Sequence, residues 1–201
     1  MLTTNRLKPL FLILITTALT TPGQSVGEQS YRSEYVAEQG RQIKSLSEQD
    51  IDALANGKGW GLAKAAELNG LPGPLHLLQM RDEISLTTEQ VTAVETLYQD
   101  MKNKAIPLGR QLITLERQLN QAFADNSLSS ETLRSSLQQI ANTRMELRYV
   151  HLNAHLATPG ILTADQIAQY NTLRGYGETD RCASVPKGHD PAMWKRHNGC
   201  D

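Results

Sequence analysis

Leu86-Thr87-Thr88-Glu89-Gln90 and Leu162-Thr163-Ala164-Asp165-Gln166 decide how this chain folds. Both stretches read Leu-Thr-x-acid-Gln. Thr87 and Thr163 are placed to cap a helix by accepting a hydrogen bond from the amide three residues on. Gln90 and Gln166 stand at that third position, from which a side chain reaches back to the amide of the capping residue. Leu86 and Leu162 precede the caps, where they staple onto Val91 and Ile167 in the first turn. The acids suit the positive end of the helix dipole. Each stretch is therefore a capping box with a hydrophobic staple, and loss of either Thr is expected to cost about 1 kcal/mol.

After the first motif, apolar residues recur at steps of three and four: Val91, Val94, Leu97, Met101, Ala105, Leu108, Leu112, Leu115, Leu119 and Phe123. That period predicts one long helix. Pro107 lies inside it and is expected to kink or split it, because its ring removes a hydrogen bond and crowds the preceding turn. Asp125-Asn126 reads as a turn, and Leu128-Ser129 as the next start. The following helix is expected to run to about Ala157 on a stripe of Leu133, Leu137, Ile140, Leu147, His151 and Ala154. Thr158-Pro159-Gly160 breaks it, and the second motif opens a last helix that ends before Gly175. Upstream, Ser47 opens a short helix stopped at Gly57, residues 60–69 read as another, and Pro72-Gly73-Pro74 breaks the chain. Short connections between long helices place them antiparallel. The expected fold is all-α, a long antiparallel helical hairpin with short flanking helices.

Composition agrees. Of 201 residues only 39% are hydrophobic and 5% aromatic, and mean hydropathy is -0.41. That excludes a polytopic membrane protein and disfavours an aromatic-rich β-sandwich. A net charge of -1 gives no general pull toward nucleic acid. Arg6 and Lys8 precede an apolar run at 9–19, and small and turn residues follow, which is the plan of a secretory signal. About 11 apolar residues span roughly 17 Å as a helix, short of the ~30 Å hydrocarbon core. A cleaved signal over 1–27 is expected, with an uncleaved anchor as the alternative. The remaining divisions are an arm with short helices at 28–74, the hairpin domain at 75–176 and a tail at 177–201. Cys182 and Cys200 are the only cysteines, and in an oxidising compartment two such neighbours pair. A metal site formed with His189 and His197 is the alternative, although its spacing fits no common zinc pattern.

His151 and His155 lie four apart, so both rings leave one face of a helix, a spacing that can hold one ion. Nothing resembles a nucleophile elbow, a phosphate loop or a His-Glu-x-x-His motif, and no enzyme activity is expected. Arg110, Arg117, Arg134, Arg144 and Arg148 fall within the hairpin and, with exposed apolar edges, offer a surface for unfolded or acidic chains.

Two Leu-Thr-x-x-Gln motifs bracketing a helical hairpin in an exported chain resemble the Spy/CpxP family of periplasmic proteins. WGLAKAAELNGLPGP at 60–74 and HLNAHLATPGILTADQIAQYNTLRGY at 151–176 are similar to its heavy-metal-sensor and Spy-like chaperone subgroup. The resemblance implies an ATP-independent chaperone or envelope-stress adaptor. Its partners would be unfolded or envelope client proteins, a membrane signalling partner, or a second copy in a curved homodimer. It also implies an alternative, a sensor or buffer of zinc, nickel, cobalt or copper. The nickel/cobalt-sensor branch carries over here as a ligand set of His76, Glu95, His151 and His155. His155 stands where that branch has Met, and Pro72 falls near a further leading His.

Intact-mass measurement of the exported, unreduced protein tests both processing expectations together. The expected species starts near Glu28 and is two hydrogens lighter than its free-thiol form. A retained leader or two free thiols refutes the corresponding reading.

Overall fold

The computed structural model describes residues 31–176, 185, 188–197, 199 and 200. The leader at 1–27 and Cys182 lie outside the described residues, and the Cys182–Cys200 pairing with them. Internal contacts divide the chain into two units, Met1–Val36 and Ala37–Asp201. In the first, Tyr31 and Tyr35 are exposed, and a 3-10 turn, Glu34–Glu38, begins there.

The second unit carries α1 (Glu48–Ala55), α2 (Lys64–Glu67), α3 (Pro74–Gln79), α4 (Thr88–Ala124), α5 (Ser130–Ala157), α6 (Ala164–Leu173) and α7 (Pro191–His197). A 3-10 turn, Thr158–Gly160, joins α5 to α6. No strand occurs among the described residues, only an isolated bridge between Ile43 and Leu46. The all-α hairpin is present as expected: α4 and α5 pack along each other, with α1 and α3 against α4 and α2 against α5.

Four helices begin with a complete capping box, at Ser47, Thr87, Ser129 and Thr163. Local chemistry thus sets these starts. Two apolar clusters hold the unit together. One gathers Ile43, Leu46, Leu54, Leu62, Ala105, Leu112, Ile113, Ile140 and Leu147. The other, at the motif end, gathers Leu77, Ile84, Val94, Leu162 and Tyr170, with Leu86 and Ile167 packed against it. Leu162 and Ile167 share this cluster, as the staple reading requires.

The structure corrects the sequence reading in two places, the length of the helix at 60–69 and the burial of Phe123 and Leu137, and adds detail at Pro107 and Gly109. The helix expected over 60–69 shrinks to Lys64–Glu67, because Trp60 and Gly61 have φ of 43° and 69°, outside the right-handed helical region. Pro107 does not split α4, which is one helix. Pro107 and Asn103 are both exposed, so the carbonyl that loses its bond faces solvent, and water satisfies such a group. Phe123 and Leu137, expected in the core, are exposed. Gly109, in contrast, is buried on α4, and a Cβ there would lie 2.0 Å from the Leu54 carbonyl oxygen. Its missing side chain lets α1 cross α4 at backbone contact.

The two Leu-Thr-x-acid-Gln motifs meet. Gln90 Oε1 accepts from the Thr87 amide at 3.0 Å, and Gln166 Oε1 from the Thr163 amide at 2.9 Å. The two carboxamides also bond each other in both directions, each Nε2 donating to the partner Oε1 at 2.9 Å. Gln90 Nε2 reaches the Ile161 carbonyl at 2.9 Å, and Gln166 Nε2 the Ser85 carbonyl at 3.3 Å. Each glutamine therefore closes its own cap and ties the other motif.

A double-mutant cycle separates these roles. Gln90→Ala and Gln166→Ala should each cost about 1 kcal/mol or more, and their effects should be non-additive by at least about 0.5 kcal/mol in denaturant unfolding. Additive losses would mean two independent caps and no clasp.

Candidate functional site

The last turns of α5 carry His151 and His155, which are 3% and 7% exposed. They face the segment that leads into α3. Thr158 Oγ1 donates to the Pro72 carbonyl at 2.8 Å, the Gly73 amide to the Tyr170 hydroxyl at 3.4 Å, and Asn171 Nδ2 to the Gly70 carbonyl at 3.1 Å. This stitching presses Gly73 onto His155, where a Cβ would lie 2.8 Å from Cε1 and 2.9 Å from Nε2. Pro74 then opens α3 from its first turn, where its fixed φ fits, and places His76 two residues on.

Gly57–Gly61, Gly73–His76, Tyr98 and Met101 of α4 and the two α5 histidines enclose a cavity of about 340 Å³. His76, His151 and His155 all line it; Glu95 does not, and its side of α4 is exposed. The carboxylate in the wall is Glu67 of α2. Among the described residues no three His, Cys, Asp or Glu side chains gather closely enough to hold one metal ion. The four donors expected from the sequence therefore do not form an assembled centre.

The imidazoles are held individually. His155 Nδ1 lies 2.9 Å from the Leu71 carbonyl. A carbonyl only accepts, so Nδ1 carries the proton and donates, and Nε2 of the neutral ring keeps its lone pair. His76 Nδ1 lies 3.4 Å from Glu67 Oε1, an electrostatic contact without a hydrogen bond. His151 Nε2 is buried with no hydrogen-bond partner. Burial, with His155 nearby, lowers the His151 pKa to about 4. Burial and Arg174 lower that of His76, against the opposing pull of Glu67. Burial alone would raise the Glu67 pKa, but hydrogen bonds from Tyr176 and Arg174 outweigh it and keep the carboxyl below its ordinary range. Tyr176 Oη donates to Glu67 Oε1 at 3.0 Å, and Arg174 Nη2 reaches the same oxygen.

Sequence reasoning found the three histidines but not Glu67, Gly73, Tyr98, Met101, Arg174 or Tyr176. Residues 67 and 174 are brought together by the return of α6, and no local pattern announces that. In the tail, the His189 ring packs edge-on to Trp194 with centroids 5.1 Å apart.

Residues 75–174 match the family model described as LTXXQ motif family protein. No curated protein and no solved structure matches the chain.

The buried His151 predicts an acid-sensitive fold. The folded ring stays neutral to about pH 4, while the unfolded chain takes up its proton near pH 6.5. The stability this preserves is complete above pH 6.5 and is lost as pH falls toward 4. The loss is roughly 2 kcal/mol by pH 5 and on the order of 3 kcal/mol in full. Denaturant unfolding at pH 7 and pH 5 measures it. His151→Leu should remove most of the difference, and an unchanged pH dependence in that variant refutes the assignment.

Proposed function

We propose that this chain, which belongs to the LTXXQ motif family of Spy/CpxP-type periplasmic proteins, acts by binding non-native envelope polypeptides without ATP, as a chaperone or stress adaptor. The observation that carries this reading is a second apolar face on α5. Ile140, Leu147, His151 and Ala154 point into the unit. On another side of the same helix, Leu137, Ala141, Met145, Tyr149, Leu152 and Leu156 recur at steps of three and four. Leu137, Met145, Tyr149 and Leu156 are 49%, 55%, 59% and 65% exposed. A helix apolar on two sides has either two partners or a binding surface.

Arg134 and Arg148 are exposed along this second face, and Leu133, Arg134, Leu137, Gln138 and Ala141 line a shallow groove at its start. Apolar side chains interleaved with guanidinium groups suit unfolded segments that mix exposed hydrophobic residues with acids. The surface is long, open and chemically mixed, which favours weak binding to many sequences over one defined partner. No helix of the described residues is long and apolar enough to cross a membrane, which accords with action in the envelope space. Binding on a preformed face needs no nucleotide, since no step of it requires work beyond the exchange of one apolar contact for another.

The test is suppression of light scattering from a heat-unfolded reporter protein, without nucleotide. Wild type should suppress aggregation at near-stoichiometric ratios. Met145→Glu with Tyr149→Glu should lose most of that effect at unchanged helicity, because both residues are exposed. Equal suppression by the double variant overturns the reading. So does a wild-type dimer that the same substitutions convert to monomer, since the face would then belong to a second copy.

A further inference from the structure

We propose that the cavity bounded by the 57–61 loop, α2, α4 and α5 is a small-molecule site for an organic monocarboxylate with an apolar body. This goes beyond the polypeptide-binding face, which lies on another side of α5.

The wall is graded from floor to rim. Gly57, Ala63, Gly73, Pro74 and Met101 are buried, together with the two α5 histidines. Trp60 and Tyr98 are half-buried, and Lys58, Lys64 and Leu75 are exposed. An apolar body gains by leaving water for such a floor, and the Met101 thioether is a favourable neighbour for a ring. A charge on that floor would lose its hydration with no opposite charge to replace it, so the charged end of a ligand belongs at the rim. About 340 Å³ is at the small end of organic ligand sites, which fits one ring or a short alkyl chain.

The sign of that charge follows from the rim. Two lysines and one glutamate line the wall. Lys58 is paired with Asp52. Glu67 stands three residues after Lys64 on α2, a spacing at which the two could pair, but its carboxylate turns to Arg174 and Tyr176 instead. Among the described residues no acid pairs with Lys64. Its ammonium is therefore the unneutralised charge of the wall. Lys102 Nζ, 5.7 Å from the centroid of the Tyr98 ring, adds positive potential from α4.

The loop holds the ammonium at the rim. Lys64 lies back across it, with Cε 3.3 Å and Nζ 3.8 Å from where a Cβ on Gly61 would stand. A bare Gly61 leaves room for that approach. A cationic rim above an apolar floor selects an amphiphile with an anionic end. A carboxylate brings one negative charge to the one unpaired ammonium, whereas a phosphate monoester brings nearly two.

Isothermal titration and thermal shift on the full chain test the assignment, with benzoate, benzamide, benzylamine, inorganic phosphate and N-acetylphenylalanine as separate probes. Benzoate should bind saturably and raise Tm. Benzamide has the same body without the charge and should bind about fivefold more weakly, the order that a partly exposed charge pair supplies. Phosphate has the charge without the body and should not bind. Lys64→Gln should bring benzoate down to the affinity of benzamide and leave benzamide itself unchanged, while Lys64→Arg should keep the preference. Lys64 is exposed and unpaired, so both variants should melt like wild type when free. The proposal is overturned if benzoate does not bind, if benzamide, benzylamine or phosphate binds as tightly, or if Lys64→Gln keeps the preference for benzoate. It is also overturned if N-acetylphenylalanine binds more tightly than benzoate, since the site would then belong to the C-terminus of a polypeptide.

Discussion

Everything at one end of this molecule hangs on the paired carboxamides of Gln90 and Gln166. Each supplies the returning half of a capping box, and each then spends its remaining hydrogen-bonding capacity on the other motif and on a carbonyl beside it. The oxygens and the amide protons are thereby all employed. The consequence is geometric: α6 cannot begin anywhere but beside the start of α4. With α6 fixed there, Tyr170 meets Gly73, Asn171 meets Gly70, and Arg174 reaches Glu67. The cavity is built from these secondary contacts, so the motif pair positions the imidazoles without touching them.

Two kinds of surface result from one helix. The inner side of α5 holds buried histidines in a confined space, and the outer side carries apolar residues and arginines in the open. Burial makes the first selective, because every atom there must find a partner. Exposure leaves the second hydrated, and water supplies any hydrogen-bond partner its side chains lack. The rigidity that the inner side needs comes from the cross-links at its end, and the outer side is a free consequence of a helix long enough to have both.

What the sequence made legible was local. Capping boxes announce themselves within five residues, and the 3.6-residue period located both long helices and the turn between them. His151 and His155 were readable because four residues is one turn. The failures share a cause in non-local geometry. Glu95 entered through the family resemblance, which says nothing of the side of α4 it occupies here. Phe123 and Leu137 follow the apolar period, yet both are more than two-fifths exposed among the described residues. Gly109 carries no pattern at all, and its meaning lies in the Leu54 carbonyl that rests on it. Trp60 adopts a backbone that its residue type disfavours, and tertiary contacts to Asp50 and Arg144 hold it there.

The clasp also orders events in time. Four capping boxes and a hairpin with a short turn involve partners close in sequence, and such contacts form early because little chain entropy is lost in closing them. Gln90 and Gln166 are 76 positions apart, so their bond closes only after the hairpin between them has shortened the path. The contact that brings the two motifs together is thus among those that the chain reaches last.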